Sequence, residues 1–498
     1  MKIKTILLIL VLLTVGLRLL ISLSTPDINY DSYFALRQVD SITHTGLPLY
    51  TDPYSYGGKI NLFLPFFYYV LAGFAFILPA LFVIKMLPIL FFGVTLYFVF
   101  ALAVKLTNNE PTALLITSFA SFLPITLTFN NSSFFLNSAT PLSLGIPALL
   151  GALYYFMSIE QKNHPSLVLI FTFILAFTTP LALILLLVYL LYLILLKTEA
   201  IPSPGQEREI VLFTFFLVLW VNLVVFKKAL LAHGPAIIWQ NLPAGMLQNF
   251  FSKISFLDSI YTVGVIPLLF GIYVIYKAFS KKPSKKLLLL VAGIMCSFIL
   301  LWFRLVPLSE GLLLLGLLLV IASAHAFRAL FLYLSKTRFE RYRPHVFIVV
   351  IILFLVSSAI PALVTAFTST TATPSPQEKE ALLWIRDNTP KESVVLGTVQ
   401  EGSIIAFVAE RKNFMDINFL LSTDVNQRYA AANTIFSTPL AANAVNALKE
   451  NHIEYIYLSK KYKELYGLQN LPYAKDTTCL SLVYNKTVMI YAFTCGVS

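Results

Sequence analysis

The chain has 498 residues, of which 58% are apolar and only 12% are charged; its mean hydropathy is +0.80. A soluble domain covers itself with about 25% charged residues, so the composition indicates an integral membrane protein and excludes a cytosolic enzyme, a coiled coil, a disordered chain and a disulfide miniprotein. The net charge of +12 comes from basic residues set in short gaps between apolar runs, which reads as a topology signal and not as a nucleic-acid footprint.

Met1-Lys2-Ile3-Lys4 opens an apolar run that continues to Leu23. With no small-residue cleavage site after it, the run reads as an uncleaved first span with its N-terminus in the cytoplasm. Arg18 falls near its outer end, where it can snorkel or face a polar cavity. A polar segment over 24–61 carries Asp27, Asp31, Asp40 and Asp52. Apolar runs follow at 62–84, 86–104, 112–129, 141–158, 166–196, 210–226, 260–277, 287–303, 308–327 and 346–366. Most approach the ~20 residues that cross hydrocarbon as helix. The 166–196 run is too long for one ordinary span and contains Thr178-Thr179-Pro180, so it reads as two short helices; one kinked helix is the alternative.

Two gaps set the orientation. Lys277, Lys281, Lys282, Lys285 and Lys286 share one, and Arg328, Lys336, Arg338, Arg341 and Arg343 share the other, opposed only by Glu340. Both belong in the cytoplasm. The resulting count is about 11 spans, with 62–84 an interfacial or re-entrant part of the first outer loop. A rival count crosses at 62–84 and keeps 166–196 whole. From Thr368 a Thr/Ser/Pro linker leads into an α/β pattern: helix at 377–387, strand at 393–399, helices at 423–436 and 439–451, strand at 453–459, and a hairpin over 479–494 turning near Asn485-Lys486. The expected fold class is a polytopic α-helical membrane protein with a C-terminal extracytoplasmic α/β domain, divided into 1–366 (with the outer loop 24–85) and 367–498. Cys479 and Cys495 can form a disulfide if that domain lies outside; Cys296 reads as inert packing.

The first loop is the best place for chemistry. A carboxylate just outside the first span meets the head group of a lipid-borne substrate, where it can act as general base, orient an acceptor or hold a divalent cation. Asp31 and Asp52 are the candidates. Arg304, in Trp302-Phe303-Arg304-Leu305-Val306-Pro307, ends a span on the outer side. Its guanidinium suits a phosphate at head-group depth through forked, charge-assisted hydrogen bonds. His44 reads as a solvated loop residue, and Gly264, Gly271 and Gly311 as sites of tight helix contact.

These residues resemble a family. Tyr30-Asp31-Ser32-Tyr33-Phe34-Ala35-Leu36-Arg37 looks like the Asp-Pro-Trp-Phe-x-x-Arg segment of the oligosaccharyltransferase catalytic subunit, a GT-C type glycosyltransferase. Thr51-Asp52-Pro53-Tyr54-Ser55-Tyr56-Gly57-Gly58-Lys59 is similar to its downstream segment, and Phe303-Arg304-Leu305 to its Val-Arg-Leu. Residues 380–390, with Trp384-Ile385-Arg386-Asp387-Asn388-Thr389-Pro390, look like the segment that opens its outer domain. The resemblance implies a GT-C-like fold and transfer of sugar from a polyprenyl phosphate or pyrophosphate on the extracytoplasmic face. It gives Asp31 and Asp52 catalytic roles, Asp31 a magnesium or manganese ligand role, and Arg304 the donor phosphate. The partners it implies are a lipid-linked sugar, the bilayer, and an acceptor that is protein, glycan or lipid.

The departures are specific. The place of the family's second-loop acidic pair reads Asn130-Asn131-Ser132-Ser133-Phe134-Phe135-Leu136-Asn137, without an acid. Of the acceptor-reading Trp-Trp-Asp-Tyr-Gly only the glycine remains, in Thr398-Val399-Gln400-Glu401-Gly402. Two other readings therefore stay open: a non-catalytic relative that binds lipid-linked sugar or scaffolds a partner, and a lipid or polysaccharide transporter.

Overall fold

A computed structural model describes residues 3–128, 134–159, 165–250, 255–280, 284–338, 340–368, 373–422 and 424–495. The acid-free stretch Asn130-Asn131-Ser132-Ser133, Lys281 and Lys282 lie outside the described residues. The backbone gathers into two compact units. One comprises Met1–Thr25, Leu64–Val225 and Phe251–Thr370; the other comprises Pro26–Phe63, Phe226–Phe250 and Thr371–Ser498. The acidic first loop is thus grouped with the C-terminal residues, where the sequence pattern drew it with the spans.

In the first unit, seven helices among the described residues are long and apolar enough to cross a membrane: Ile3–Ser24, Ala80–Thr107, Leu181–Thr198, the helical start of Gly205–Leu247, Lys285–Trp302, Leu308–Ser335 and Glu340–Thr368. An eighth span is broken: Phe256–Val263 and Val265–Ser280 meet at 87°. Gly264 is the hinge, with φ +91°, a conformation that an L side chain would strain. It is a break as well as the tight contact expected of it, since an added Cβ would lie 3.2 Å from Leu123. Gly271 also makes such a contact, because an added Cβ there would lie 2.3 Å from Leu319.

The expected count of about 11 is not reached by length. The 62–84 run, which that count left uncrossed, forms only the ten-residue helix Phe66–Ala75 before Pro79 starts the next. The 112–129 run breaks into Glu110–Ser121 and Pro124–Leu127, and Pro141–Phe156 has 16 residues. At a rise of 1.5 Å per residue, 16 residues span about 24 Å, short of the ~30 Å of hydrocarbon. The 166–196 run does divide at Pro180, into Pro165–Thr178 and Leu181–Thr198.

Arg18 neither snorkels nor lines a water-filled cavity. It is 1% exposed. Its Nη1 donates to Thr126 O (2.5 Å), and its Nη2 donates to Ser121 O and Thr126 Oγ1 (both 2.8 Å). The guanidinium also stacks 3.8 Å from the Phe92 ring centre. The broken helix ends at 121 and 126 leave carbonyls without intrahelical partners, and Arg18 satisfies them. Lys85 does the same for the end of the first helix, donating to Thr25 O at 2.7 Å.

The second unit is built on a mixed five-stranded sheet. After the loop hairpin β1 (Thr51–Asp52) and β2 (Lys59–Ile60), the strands are β3 (Val394–Leu396), β4 (Lys412–Asn413), β5 (Tyr455–Leu458), β6 (Leu480–Asn485) and β7 (Met489–Phe493). Their order is β4-β3-β5-β7-β6. β3 is parallel to β4 and β5, and β7 is antiparallel to β5 and β6. Val394, Leu396, Ile456 and Leu458 bury against Phe436, Leu448 and Tyr462. The Cys479–Cys495 disulfide closes the base of the β6–β7 hairpin.

β4 would leave an unpaired edge, a liability in any sheet. The first loop covers it. Tyr56 N donates to Asn413 O (3.0 Å), and Asn413 N to Tyr54 O (2.8 Å). Arg428 Nη1 then donates to Tyr56 O at 2.9 Å. The 226–250 segment is tied in by Asn241, which donates to Phe419 O at 3.0 Å.

Candidate functional site around Asp31

The first loop owes its shape to buried ion pairs. Arg37, on the helix Ser32–Thr45, grips Asp52 with both ends of its fork: Nη1 to Oδ2 at 2.8 Å and Nη2 to Oδ1 at 2.6 Å. Asp52 is 1% exposed and also accepts from Tyr54 N at 3.0 Å. Burial pushes its carboxyl upward, but the Arg37 hydrogen bonds and charge outweigh it and hold the group below the usual carboxylate range. Lys59, at the other strand of the hairpin, pairs with buried Asp416. Asp27 accepts from Tyr33 Oη at 2.6 Å and pairs with Lys379 at 2.6 Å. One-sided removal of such partners leaves a charge stranded in the interior.

Asp31 stands apart from these pairs. It occupies the N-cap position of Ser32–Thr45 but makes no cap hydrogen bond. Asn29 does that work instead, its Oδ1 accepting from Ser32 N (3.0 Å) and Ser32 Oγ (2.5 Å). Among the described residues the Asp31 carboxylate has no hydrogen-bond or ion-pair partner. The positive end of the helix favours a carboxylate there. Water reaches the side chain, yet the surrounding protein pushes its carboxyl above the usual range, while the Lys461 ammonium pulls the opposite way. Lys461 follows β5 on the helix Lys460–Tyr466, lies 5.6 Å from the Tyr30 ring centre, and touches Glu464 at 3.4 Å. No sequence signal links Lys461 to Asp31, 430 positions away in the chain.

Arg304 belongs to the first unit. It is exposed, in the turn between Lys285–Trp302 and Leu308–Ser335, with φ +55°. Non-glycine residues adopt that conformation seldom. Its neighbours Trp302 and Phe303 are 72% and 64% exposed, as suits side chains facing lipid or head groups. Glu310, in the first turn of the next helix, is an acid that the motif reading missed. His44 is exposed, 3.4 Å from Asp40.

The residues in place of the acceptor-reading motif do structural work. Thr398 caps a 3₁₀ turn, and Glu401 is fully buried, its Oε2 accepting from Thr398 N (3.0 Å) and Thr398 Oγ1 (2.7 Å). Gly402 is obligatory: a Cβ there would lie 2.3 Å from Met415 O.

The fit to a divalent cation is poor. Magnesium and manganese want several oxygens around them, including carboxylates. Asp52 is committed to Arg37, and an ammonium stands near Asp31. No group of three His, Cys, Asp or Glu gathers among the described residues.

No protein-family model matches the chain, and no curated protein matches it in sequence. Solved structures do. The archaeal oligosaccharyltransferase AglB from Archaeoglobus fulgidus, seen in complex with an inhibitory peptide and a dolichol-phosphate, superimposes with TM-score 0.67 at 15% identity, covering 99% of this chain and 74% of its own. ArnT from Cupriavidus metallidurans bound to undecaprenyl phosphate gives TM-score 0.55 at 11% identity, over 98% of this chain and 97% of its own. The chain has the GT-C fold. It is a divergent example, and the fold, with its row of apolar helices, makes it a multi-pass membrane protein.

Proposed function

We propose that this GT-C protein is a membrane glycosyltransferase that takes sugar from a polyprenyl phosphate or pyrophosphate on the extracytoplasmic face. The observation that carries the reading is Asp31: a partnerless carboxylate at a helix N-terminus, in a loop whose other described acids, apart from the exposed Asp40, are locked in buried ion pairs. The AglB and ArnT structures with dolichol-phosphate and undecaprenyl phosphate support a lipid-linked donor. The Cys479–Cys495 disulfide supports an oxidising compartment for the second unit, and the lysine- and arginine-rich gaps support a cytoplasmic placement of the loops that carry them.

In this mechanism Asp31 accepts the proton of the acceptor nucleophile as that atom bonds to the anomeric carbon. The bond from that carbon to the phosphate oxygen breaks, and the phosphate leaves with the electron pair; a guanidinium such as that of Arg304 suits such a phosphate. A raised carboxyl pKa makes Asp31 a stronger base than an ordinary aspartate. Asp52, expected as a second acid, fixes Arg37 and the loop, so its contribution is positional. No step is routed through a metal, because the residues present do not fit one.

Incubation of the purified protein with labelled polyprenyl-phosphate sugars, with and without chelator, tests the reading. Transfer that survives chelator and is lost in Asp31→Asn supports it. Transfer unchanged in Asp31→Asn removes Asp31 from the mechanism. The ion-paired state of the other buried acids also favours a second reading, a sugar-lipid-binding relative without turnover; binding of the labelled donor with no product from any acceptor class would establish that instead.

A further inference from the structure

The residues on either side of Asp31 are held by one helix turn far along the chain. On one side is Tyr30, which is buried and whose Oη donates to Glu378 Oε2 at 3.2 Å, across 348 positions of sequence. On the other is Tyr33, also buried, whose Oη donates to Asp27 Oδ2; Lys379 Nζ meets that same oxygen at 2.6 Å. Asp27 is buried in turn, and its Oδ1 accepts from Ile28 N at 2.8 Å. Glu378 and Lys379 are neighbours in the first turn of Pro376–Asn388. Two buried tyrosine hydroxyls thus bracket the Asp31 backbone. One leads directly to Glu378, and the other leads through Asp27 to Lys379.

The helix that supplies these ties does not need them. A capping box asks for Glu or Gln at its third position, and the Ser375 N bond to Glu378 Oε2, at 2.6 Å, meets that demand. It does not ask that the same oxygen receive a tyrosine hydroxyl, or that the glutamate be 3% exposed. Burying a carboxylate is costly, and Glu378 Oε1 has no hydrogen-bond partner; an exposed glutamate would cap the helix with less penalty. Reacting groups, by contrast, do need such fixing, because a misplacement of about 1 Å can cost roughly 10²-fold in rate. We propose that Glu378 and Lys379 are positioning residues for Asp31, setting where its carboxylate stands through Tyr30 and through the Asp27–Tyr33 pair. The inference rests on the reading of Asp31 as the general base.

Single-turnover transfer from a radiolabelled polyprenyl-phosphate sugar by the full-length protein in detergent, read separately from donor Kd, tests the proposal. Tyr30→Phe keeps the ring and removes only the hydroxyl. Lys379→Met removes the ammonium and leaves Asp27 its bonds from Ile28 and Tyr33. Each should slow turnover roughly tenfold, and the pair about 10²-fold, with donor Kd unchanged. Lys379→Arg keeps the charge and should keep the wild-type rate. Glu378→Gln should keep it too, because both bonds fall on one oxygen, which the amide retains. Lys486→Met breaks the exposed pair with Glu380 on the same helix and should change nothing. Should Lys379→Met not fold, Tyr30→Phe gives the same reading. A wild-type rate in Tyr30→Phe and Lys379→Met, with Asp31→Asn inactive, would overturn this inference and leave Asp31 as the base. A wild-type rate in Asp31→Asn would overturn the reading beneath it, and the inference with it. Slowing in Lys486→Met equal to that in Lys379→Met, or a loss in Lys379→Arg as deep as in Lys379→Met, would count as general damage to the helix and would also overturn the inference.

Discussion

Glu401 offers a quantitative test of how the second unit is built. It is fully buried, one oxygen accepts two hydrogen bonds from Thr398, and the other, Oε1, has no hydrogen-bond partner. Burial, with a smaller contribution from Glu378, pushes its carboxyl from 4.5 up to about 7, against the pull of the nearby Ser459 hydroxyl and of the Thr398 hydrogen bonds. An acid whose folded pKa is raised holds its proton better folded than unfolded. Its contribution is fully present below about pH 4.5 and is lost as pH rises through 7. The shift is worth about 3 kcal/mol in total, of which about 2.5 falls between pH 5 and 8.5. Glu401→Gln cannot ionise and escapes that loss. Whatever fixed cost the amide brings, the difference in apparent Tm between variant and wild type should move in the variant's favour by roughly 5–10 °C from pH 5 to pH 8.5. Thermal unfolding of the full-length protein in detergent at the two pH values measures this. A difference that stays constant with pH, or moves the other way, would refute the account of Glu401 as a carboxyl pushed up to about 7 by burial.

Three further outcomes follow from particular contacts. Asp52→Ala strands the buried Arg37 guanidinium and should destabilise the second unit by about 3–5 kcal/mol; in wild type the pair's contribution holds above the normal carboxylate range and fades only as pH falls through the lowered pKa of Asp52, which acid unfolding can follow. Cys479→Ser/Cys495→Ser opens a loop with sequence separation 16 and should cost about 3 kcal/mol, read as a lower denaturation midpoint; no change would mean that the hairpin holds itself. Asp31→Asn should reduce transfer by roughly 10²–10⁴-fold without loss of stability, since no partner is broken. Wild-type activity should rise with pH through a midpoint above the ordinary ~3.9 of aspartate, and a midpoint below it would contradict the raised carboxyl.

Much of the C-terminal α/β pattern was legible because its elements are short, regular and bounded by turn residues. The helix expected at 377–387 is Pro376–Asn388, started by Pro376 after a Ser375–Glu378 capping box. The hairpin expected near Asn485-Lys486 is β6–β7. The strand β4 was not legible: two residues of Lys412-Asn413 carry no periodicity, and they pair because the first loop completes their edge. The count of about 11 spans is not confirmed for a related reason. Hydropathy reports apolar length, whereas Pro124 and Gly264 decide where helix stops. At the candidate site, Asp31 could be picked out as an acid in a wet loop. That Asp52 is consumed by Arg37, and that Lys461 comes near Asp31, depends on contacts between residues far apart in the chain, which only the folded unit displays.

The most direct measurement is single-turnover transfer from a radiolabelled polyprenyl-phosphate sugar by the purified full-length protein, run beside Asp31→Asn and Arg304→Ala. The account expects product from wild type in the presence of chelator, loss of the chemical step with donor binding retained in Asp31→Asn, and weakened donor binding in Arg304→Ala. Product formed at the wild-type rate by Asp31→Asn, or donor binding unaffected by Arg304→Ala, would contradict it.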